Sequence, residues 1–140
     1  MRRTLVYLFL LINVLLCFYT LFEAYRFFYT VAALFGMKPE LMNALGKFFM
    51  VVFGVVLIGM MVYFEDRYRS ASEKGSKKLL ARFFIFSGIQ LLLIALFQSP
   101  FFFTLGYRLG WAEYVKYFIK PALGLLLVLS SLSLSSKHSH

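Results

Sequence analysis

Charged side chains gather on two segments, residues 23–47 and 100–120, that connect apolar stretches of this chain. Glu23 and Arg26 are three residues apart, which is the spacing of an ion pair on one helix face. If both segments lie on the outer side of a membrane, their charges form one mouth that could hold a substrate headgroup or a partner subunit, whereas the alternative is a set of interfacial anchors. We call this set the outer charged mouth, and its members are Glu23, Arg26, Glu40, Lys47, Arg108, Glu113, Lys116 and Lys120.

A second group of charges lies in residues 65–82, the most hydrophilic part of the chain. Basic residues beside a membrane attract anionic lipid headgroups by about 1 kcal/mol each. Glu65, Asp66 and Glu73 weaken that attraction. A topological role explains the same charges, because positively charged loops stay on the cytoplasmic side. The candidate contacts for anionic lipid are Arg67, Arg69, Lys74, Lys77, Lys78 and Arg82.

Uncharged polar and small residues form two stripes at helical spacing, one on the first apolar stretch and one on the third. Such residues let membrane helices approach closely and hydrogen-bond to each other, for about 0.6–2 kcal/mol per contact. We expect the two stripes to face each other in a helix bundle, and the alternative is a polar permeation path. The stripe residues are Asn13, Cys17, Thr20, Ser87, Gln90 and Gln98.

The sequence lacks the usual patterns of a catalytic or cofactor site. No ionisable residue falls deep inside an apolar stretch, where proton relays and ion pathways are built. The histidines, His138 and His140, lie in a polar tail and cannot serve as axial haem ligands in a span. The single cysteine forms no intramolecular disulfide, and no glycine-rich phosphate loop or Ser/His/Asp set is present. We therefore expect no enzyme, no cofactor and no metal.

Composition places the chain in lipid rather than in water. Hydrophobic residues make up 61% of it and charged residues 15%, against about 25% charged in soluble domains. In a soluble protein, a net charge of +9 would suggest nucleic-acid binding. Long charge-free runs instead predict an integral membrane protein, whose partners are membrane lipids and other membrane subunits or a second copy, with no nucleic acid.

Four apolar runs are long enough, or nearly so, to cross a bilayer, which takes about 20 helical residues. Pro100 predicts the end of the third run, and Pro121 predicts the first turn of the fourth. The aromatic connections 23–47 and 100–120 are too short to span and predict outer interfacial or re-entrant segments. The sequence thus predicts one membrane domain, residues 1–140, an all-α four-transmembrane-helix bundle with spans 4–22, 48–64, 83–99 and 121–136 and a cytoplasmic loop 65–82.

The distribution of Lys and Arg predicts the orientation of these spans. Nine basic residues fall on the side of both termini and residues 65–82, and six fall on the other side. Since positive charge is retained in the cytoplasm, both termini are predicted to be cytoplasmic, in a plasma (inner) membrane.

The two halves of the chain share a sequence skeleton that predicts a parallel two-fold internal repeat. The segments that begin at Phe27 and Phe101 match in two Phe, one Thr and one Gly without a gap, and a Glu and a Lys seven apart follow in each. The alternative is coincidence in a chain rich in Phe and Leu. A true repeat would relate the halves by an axis along the membrane normal.

Three functions are compatible with this sequence. The first is a non-catalytic accessory or scaffolding subunit of a larger membrane complex, suggested by small residues on several helices and the absence of catalytic patterns. The second is a small homodimeric carrier or flippase for a lipid-linked or anionic substrate, suggested by the repeat and the charged mouth. The third is a membrane regulator that senses anionic lipid through residues 65–82.

Overall fold

The protein folds as four long helices joined by short connections. The structure is a computed structural model that describes the backbone of residues 2–105 and 110–136. All four helices are long and apolar enough to cross a membrane, which confirms the predicted all-α class with four candidate spans. They are α1 (Arg2–Leu34), α2 (Pro39–Glu73), α3 (Ser76–Leu105) and α4 (Trp111–Ser136).

Residue chemistry fixes the turn between α1 and α2. Gly36 has a φ of 66°, in the left-handed region that glycine enters without steric cost. Its amide donates to Ala33 O and the Met37 amide donates to Ala32 O, each at 3.1 Å, which is the Schellman pattern of a helix end. Pro39 then occupies the first position of α2, where its missing N–H costs nothing.

Residues 65–82, expected to be a loop, are helical except for a turn at Lys74 and Gly75. The reason is an apolar stripe that lies among charged residues and continues the buried face of the helix. Phe64, Tyr68 and Ala71 lie at i, i+4 and i+7 on α2 and are all buried. They form a hydrophobic core with Val6, Cys17 and Leu79. Packing on one face therefore extends both helices past the apolar runs.

Both proline predictions were wrong, because each proline lies inside a helix. Pro100 has no N–H to donate to the carbonyl of Leu96, four residues earlier. The hydroxyl of Ser99 donates to that carbonyl at 2.7 Å instead, so α3 continues to Leu105. Pro121 lies well inside α4, which begins at Trp111.

The predicted outer segments are largely extensions of the helices. Residues 23–34 continue α1 and residues 39–47 open α2. Much of residues 100–120 likewise belongs to α3 and α4. Their interfacial position stays a prediction, as does the internal repeat, because two helical hairpins are common to any four-span protein.

Helix α3 is the centre of the arrangement. It packs against α1, α2 and α4, whereas α4 packs closely on α3 alone among the described residues. The α3–α4 contact is tight at Gly88 and Gly124: a Cβ on Gly88 would lie 2.8 Å from Gly124 O and 2.7 Å from Val128 Cγ2. Small residues at this crossing let the two backbones meet.

We predict that Gly88→Ala destabilises the protein by about 1–3 kcal/mol, the usual cost of overpacking. The added methyl group meets a backbone oxygen that cannot move aside. Unfolding can be followed by heating the detergent-purified protein with a thiol-reactive fluorophore, because Cys17 is the single cysteine and is buried. Gly54→Ala is the matched control, since a Cβ there meets nothing within 4 Å. Equal labelling temperatures for the two variants would contradict the prediction.

Candidate functional site

Five of the eight residues of the outer charged mouth line one cleft. We call it the mixed-charge cleft; it lies between α1, α3 and α4 and has a volume of about 280 Å³. Glu23 and Arg26 come from α1, one helical turn apart. The other three follow one another along the first turns of α4, and they are Glu113, Lys116 and Lys120.

Two other residues of the predicted mouth, Glu40 and Lys47, do not line this cleft. Both are exposed on α2, and none of the described lining residues comes from α2. Arg108 lies outside the described residues. The described part of the predicted mouth is therefore built from α1 and α4.

Two ion pairs account for both carboxylates of the mixed-charge cleft. Arg26 Nη1 lies 3.3 Å from Glu23 Oε1, and Lys116 Nζ lies 2.7 Å from Glu113 Oε1. The Glu23 side chain is only 4% exposed, whereas Arg26 is 51% exposed. A buried carboxylate needs a cation or hydrogen bonds to offset its lost hydration, and Arg26 supplies both.

Lys120 is held differently, by neutral groups. Its ammonium donates to Gln98 Oε1 at 2.7 Å, and Gln98 Nε2 donates to the Tyr19 hydroxyl at 3.3 Å. The ammonium also lies 5.9 Å from the centroid of the Tyr19 ring. These contacts link α4, α3 and α1. Gln98, which was predicted to belong to the polar stripe of the third span, therefore lines the cleft.

Aromatic rings form the walls of the mixed-charge cleft. The Arg26 guanidinium carbon lies 5.7 Å from the centroid of the Phe101 ring. The rings of Phe102 and Tyr117 have centroids 3.9 Å apart, and the Tyr117 hydroxyl donates to Ala95 O at 3.2 Å. These contacts hold α4 against the last turns of α3.

At the opposite end of the protein, five of the six candidate lipid contacts line a second cleft, which we call the basic cleft. It lies between α2, α3 and α4 and has a volume of about 420 Å³. In the part of the chain that the structure describes, no acidic residue lines it. Ile85, Leu132 and Leu134 contribute an apolar wall. The basic residues of the lining are Arg67, Lys74, Lys77, Lys78 and Arg82.

Arg69, the sixth candidate, is turned away from the basic cleft. Its guanidinium pairs with Glu65 at 2.8 Å and donates to the Tyr7 hydroxyl at 3.4 Å. Arg69 therefore ties α2 to the beginning of α1.

The backbone adds to the positive potential of the basic cleft. Lys77 and Lys78 lie in the first turn of α3, which contains no acidic residue. The N-terminus of a helix carries a partial positive charge, so cations there are unfavourable and anions are favourable. An anion in this cleft would relieve that repulsion.

Asn13 forms a buried polar contact between the two clefts. Its Nδ2 lies 2.6 Å from the Tyr68 hydroxyl and 3.2 Å from Ser87 Oγ, and Gln90 Nε2 donates to Asn13 O at 3.2 Å. The two predicted stripes thus meet through Asn13, Ser87 and Gln90. Tyr68, which is fully buried, was not among the predicted stripe residues.

The other members of the first stripe make local contacts. Cys17 is buried in the hydrophobic core, and the Thr20 hydroxyl donates to Leu16 O on its own helix at 2.7 Å. No described residue lines both clefts, and at the level between them Tyr68 and Ser87 are buried and hydrogen-bonded to Asn13.

We predict a coupling of about 0.6–1.7 kcal/mol between Asn13→Ala and Ser87→Ala, which lies between the average and the maximum measured for hydrogen bonds between membrane helices. The two side chains lie 3.2 Å apart and are buried. A double-mutant cycle of unfolding free energies isolates their interaction. Pairing Asn13→Ala with Ser130→Ala is the control, because the Ser130 hydroxyl donates to Leu126 O on its own helix and is far along the chain from Asn13. Additive effects of Asn13→Ala and Ser87→Ala would contradict the prediction.

The function of the two clefts has to be argued from their own residues. Comparisons with protein-family models, with curated proteins and with solved structures find no match for this chain. The charge, burial and contacts described above therefore supply the grounds for the functional proposal.

Proposed function

We propose that this is a non-catalytic membrane protein that binds anionic lipid headgroups in its basic cleft and acts as a lipid-sensing regulator. The observation that carries the proposal is the convergence of five Lys and Arg side chains on one cleft whose described lining residues include no acidic one. Each basic residue near an anionic surface contributes about 1 kcal/mol. The apolar wall beside these cations suits the acyl chains that continue from a headgroup.

The level of the basic cleft along the bundle supports the same proposal. Arg3 and Glu23 are separated by 20 residues of one helix, or about 30 Å at the usual rise, which matches the hydrocarbon thickness of a bilayer. Tyr7, near the start of α1, contacts Arg69 of α2. The basic cleft, lined by the neighbouring turns of α2, therefore lies at the depth of one leaflet's headgroups.

The proposal includes an orientation, with both termini and the basic cleft on the cytoplasmic side of a plasma (inner) membrane. The excess of Lys and Arg at this end supports it. Anionic lipids are concentrated in the cytoplasmic leaflet of many membranes. The retention of positive residues in the cytoplasm and the binding of anionic lipid therefore both favour a cytoplasmic position of the basic cleft.

An accessory subunit of a larger complex is the second candidate, and the free surface of α2 favours it. Only 6% of the residues in the most apolar stretch of α2 are buried, against 33% for α3. Membrane helices of a partner or of a second copy would pack on this face. Lipid would cover it in a protein that acts alone.

The carrier or flippase is a third candidate that keeps the predicted internal repeat. The presence of a charged cleft at each end favours it. It requires an opening between the clefts, at the level where Asn13, Tyr68 and Ser87 are buried and hydrogen-bonded.

We predict that Arg67→Gln weakens the binding of phosphatidylglycerol about fivefold, the equivalent of 1 kcal/mol. Combined Lys74→Gln, Lys77→Gln and Lys78→Gln substitutions should weaken it further. Native mass spectrometry of the detergent-purified protein, titrated with phosphatidylglycerol or phosphatidylcholine, measures the bound lipid.

Arg69→Gln is the matched control, because this arginine has the same type and helix but faces Tyr7 rather than the cleft. Its binding of phosphatidylglycerol should equal that of the wild type. Equal losses from Arg67→Gln and Arg69→Gln would show a diffuse charge effect and contradict the site. If the wild-type protein bound phosphatidylglycerol and phosphatidylcholine equally well, the proposed function would be contradicted.

We predict that an impermeant maleimide labels Phe35→Cys in intact cells and labels Ser76→Cys only after permeabilisation. Both substitutions are made in a Cys17→Ala background, which removes the single native thiol. Phe35 is 85% exposed between α1 and α2, and Ser76 begins α3 at the opposite end. The reverse labelling pattern would place the termini outside.

A further inference from the structure

We infer that the mixed-charge cleft is a separate binding site for one phosphate group, carried by a lipid headgroup or by a soluble phosphate ester. Among the residues that the structure describes, none lines both this cleft and the basic cleft. The proposed phosphate site can therefore be tested separately from the proposed function.

The charges of the mixed-charge cleft leave one cation uncompensated. Its described lining residues include three basic and two acidic ones. Glu23 pairs with Arg26 and Glu113 pairs with Lys116. Among the described residues, no carboxylate lies within ion-pair distance of Lys120. The cleft therefore has a net positive charge, and an anion that enters it meets an available cation.

Lys120 is positioned before any ligand arrives. Gln98 and the Tyr19 ring hold its ammonium in a partly buried place between three helices. A lysine ammonium has three N–H donors, and Gln98 Oε1 accounts for one of them. The remaining donors can serve a ligand without the entropy cost of ordering a free side chain.

Arg26 and Lys116 can add to the same anion. Their side chains are 51% and 68% exposed, and each ion pair engages its carboxylate at one oxygen. Phosphate has several acceptor oxygens and can be shared by cations from two helices, with a guanidinium able to bind two of them. A ligand phosphate would therefore bridge α1 and α4, which do not pack closely on each other among the described residues.

Size and depth indicate a headgroup or a small phosphate ester rather than a larger molecule. The volume of about 280 Å³ is just below the range of pockets for drug-sized ligands, roughly 300–1,000 Å³. Glu23 lies about 30 Å along α1 from Arg3, close to the thickness of a bilayer core. The cleft is thus at the level of the second leaflet's headgroups, and water-soluble esters reach the same level.

Glu23 gives the site a property that a merely structural cluster lacks. Its carboxylate competes with a ligand for Arg26. Glu23→Gln removes that competition while it keeps the size of the side chain. Lys120→Gln removes the uncompensated cation. A phosphate site predicts that Lys120→Gln weakens phosphate binding and that Glu23→Gln does not, whereas a structural role predicts that both substitutions weaken it.

The experiment measures binding to the full chain in a neutral detergent, with Lys74, Lys77 and Lys78 changed to Gln so that the basic cleft is weakened. Glycerol 3-phosphate is the soluble probe and phosphatidylglycerol is the lipid probe. Lys120→Gln should weaken the binding of at least one probe about tenfold, as expected for the loss of a charged hydrogen bond. Lys120→Arg should retain binding, and Glu23→Gln should equal or exceed the parent protein.

Lys47→Gln is the matched control, because this lysine is exposed on α2 and does not line the cleft. Thermal labelling of Cys17 checks that each variant is folded. The probe that binds identifies the source of the phosphate. Failure of the parent protein to bind either probe would overturn the inference, and so would equal losses from Lys47→Gln and Lys120→Gln or a loss from Glu23→Gln. If the basic cleft showed no preference among lipid headgroups, the proposed function would fail, but these results on the mixed-charge cleft would not change.

Discussion

The buried amide of Asn13 is the contact on which the arrangement of the first three helices depends. It joins α1 to Tyr68 of α2 and to Ser87 of α3. In lipid, apolar side chains gain little by leaving one apolar neighbour for another, so helices associate through hydrogen bonds and close packing. No water is available to a polar group in this position, so an arrangement that gives the amide hydrogen-bond partners is favoured over one that leaves it unpaired. The amide therefore fixes how the three helices are rotated as well as how close they lie.

The attachment of α4 explains why the protein has two clefts. Helix α4 meets α3 closely where Gly88 and Gly124 allow the backbones to touch. It has no comparable contact with α1 or α2 among the described residues. Space therefore remains between α4 and α1 at one end and between α4 and α2 at the other, and Lys120 reaches from α4 toward the Tyr19 ring of α1 across the first of these spaces. A helix that packed on all three neighbours would have closed both spaces.

The sequence predicts the number of helices because hydropathy and length decide whether a segment can cross a bilayer, whereas it predicts their ends poorly. Charge at Glu65 marks the end of an apolar run, but α2 continues because Tyr68 and Ala71 still face the core. The spacing of Phe64, Tyr68 and Ala71 is visible in the sequence, although the charged residues between them lower the mean hydropathy. Pro100 misleads for a different reason, since the Ser99 hydroxyl that replaces its missing donor acts only in the folded helix. Among the charged residues, chain position predicts which end each occupies, but only the packing of α4 on α3 decides that Lys120 lines a cleft and Lys47 does not.

The two clefts also differ in how they would discriminate among anions. In the basic cleft, the described lining has exposed cations and no carboxylate, so it attracts any anion. Salt weakens an attraction of this kind because exposed charges are screened. In the mixed-charge cleft, each carboxylate already has a cation, and the spare one, Lys120, is held by Gln98 and Tyr19. An anion gains there only if it reaches Lys120 and fits beside the existing ion pairs, so geometry contributes more than net charge. The first arrangement suits recognition of a leaflet rich in anionic lipid, and the second suits recognition of one particular group.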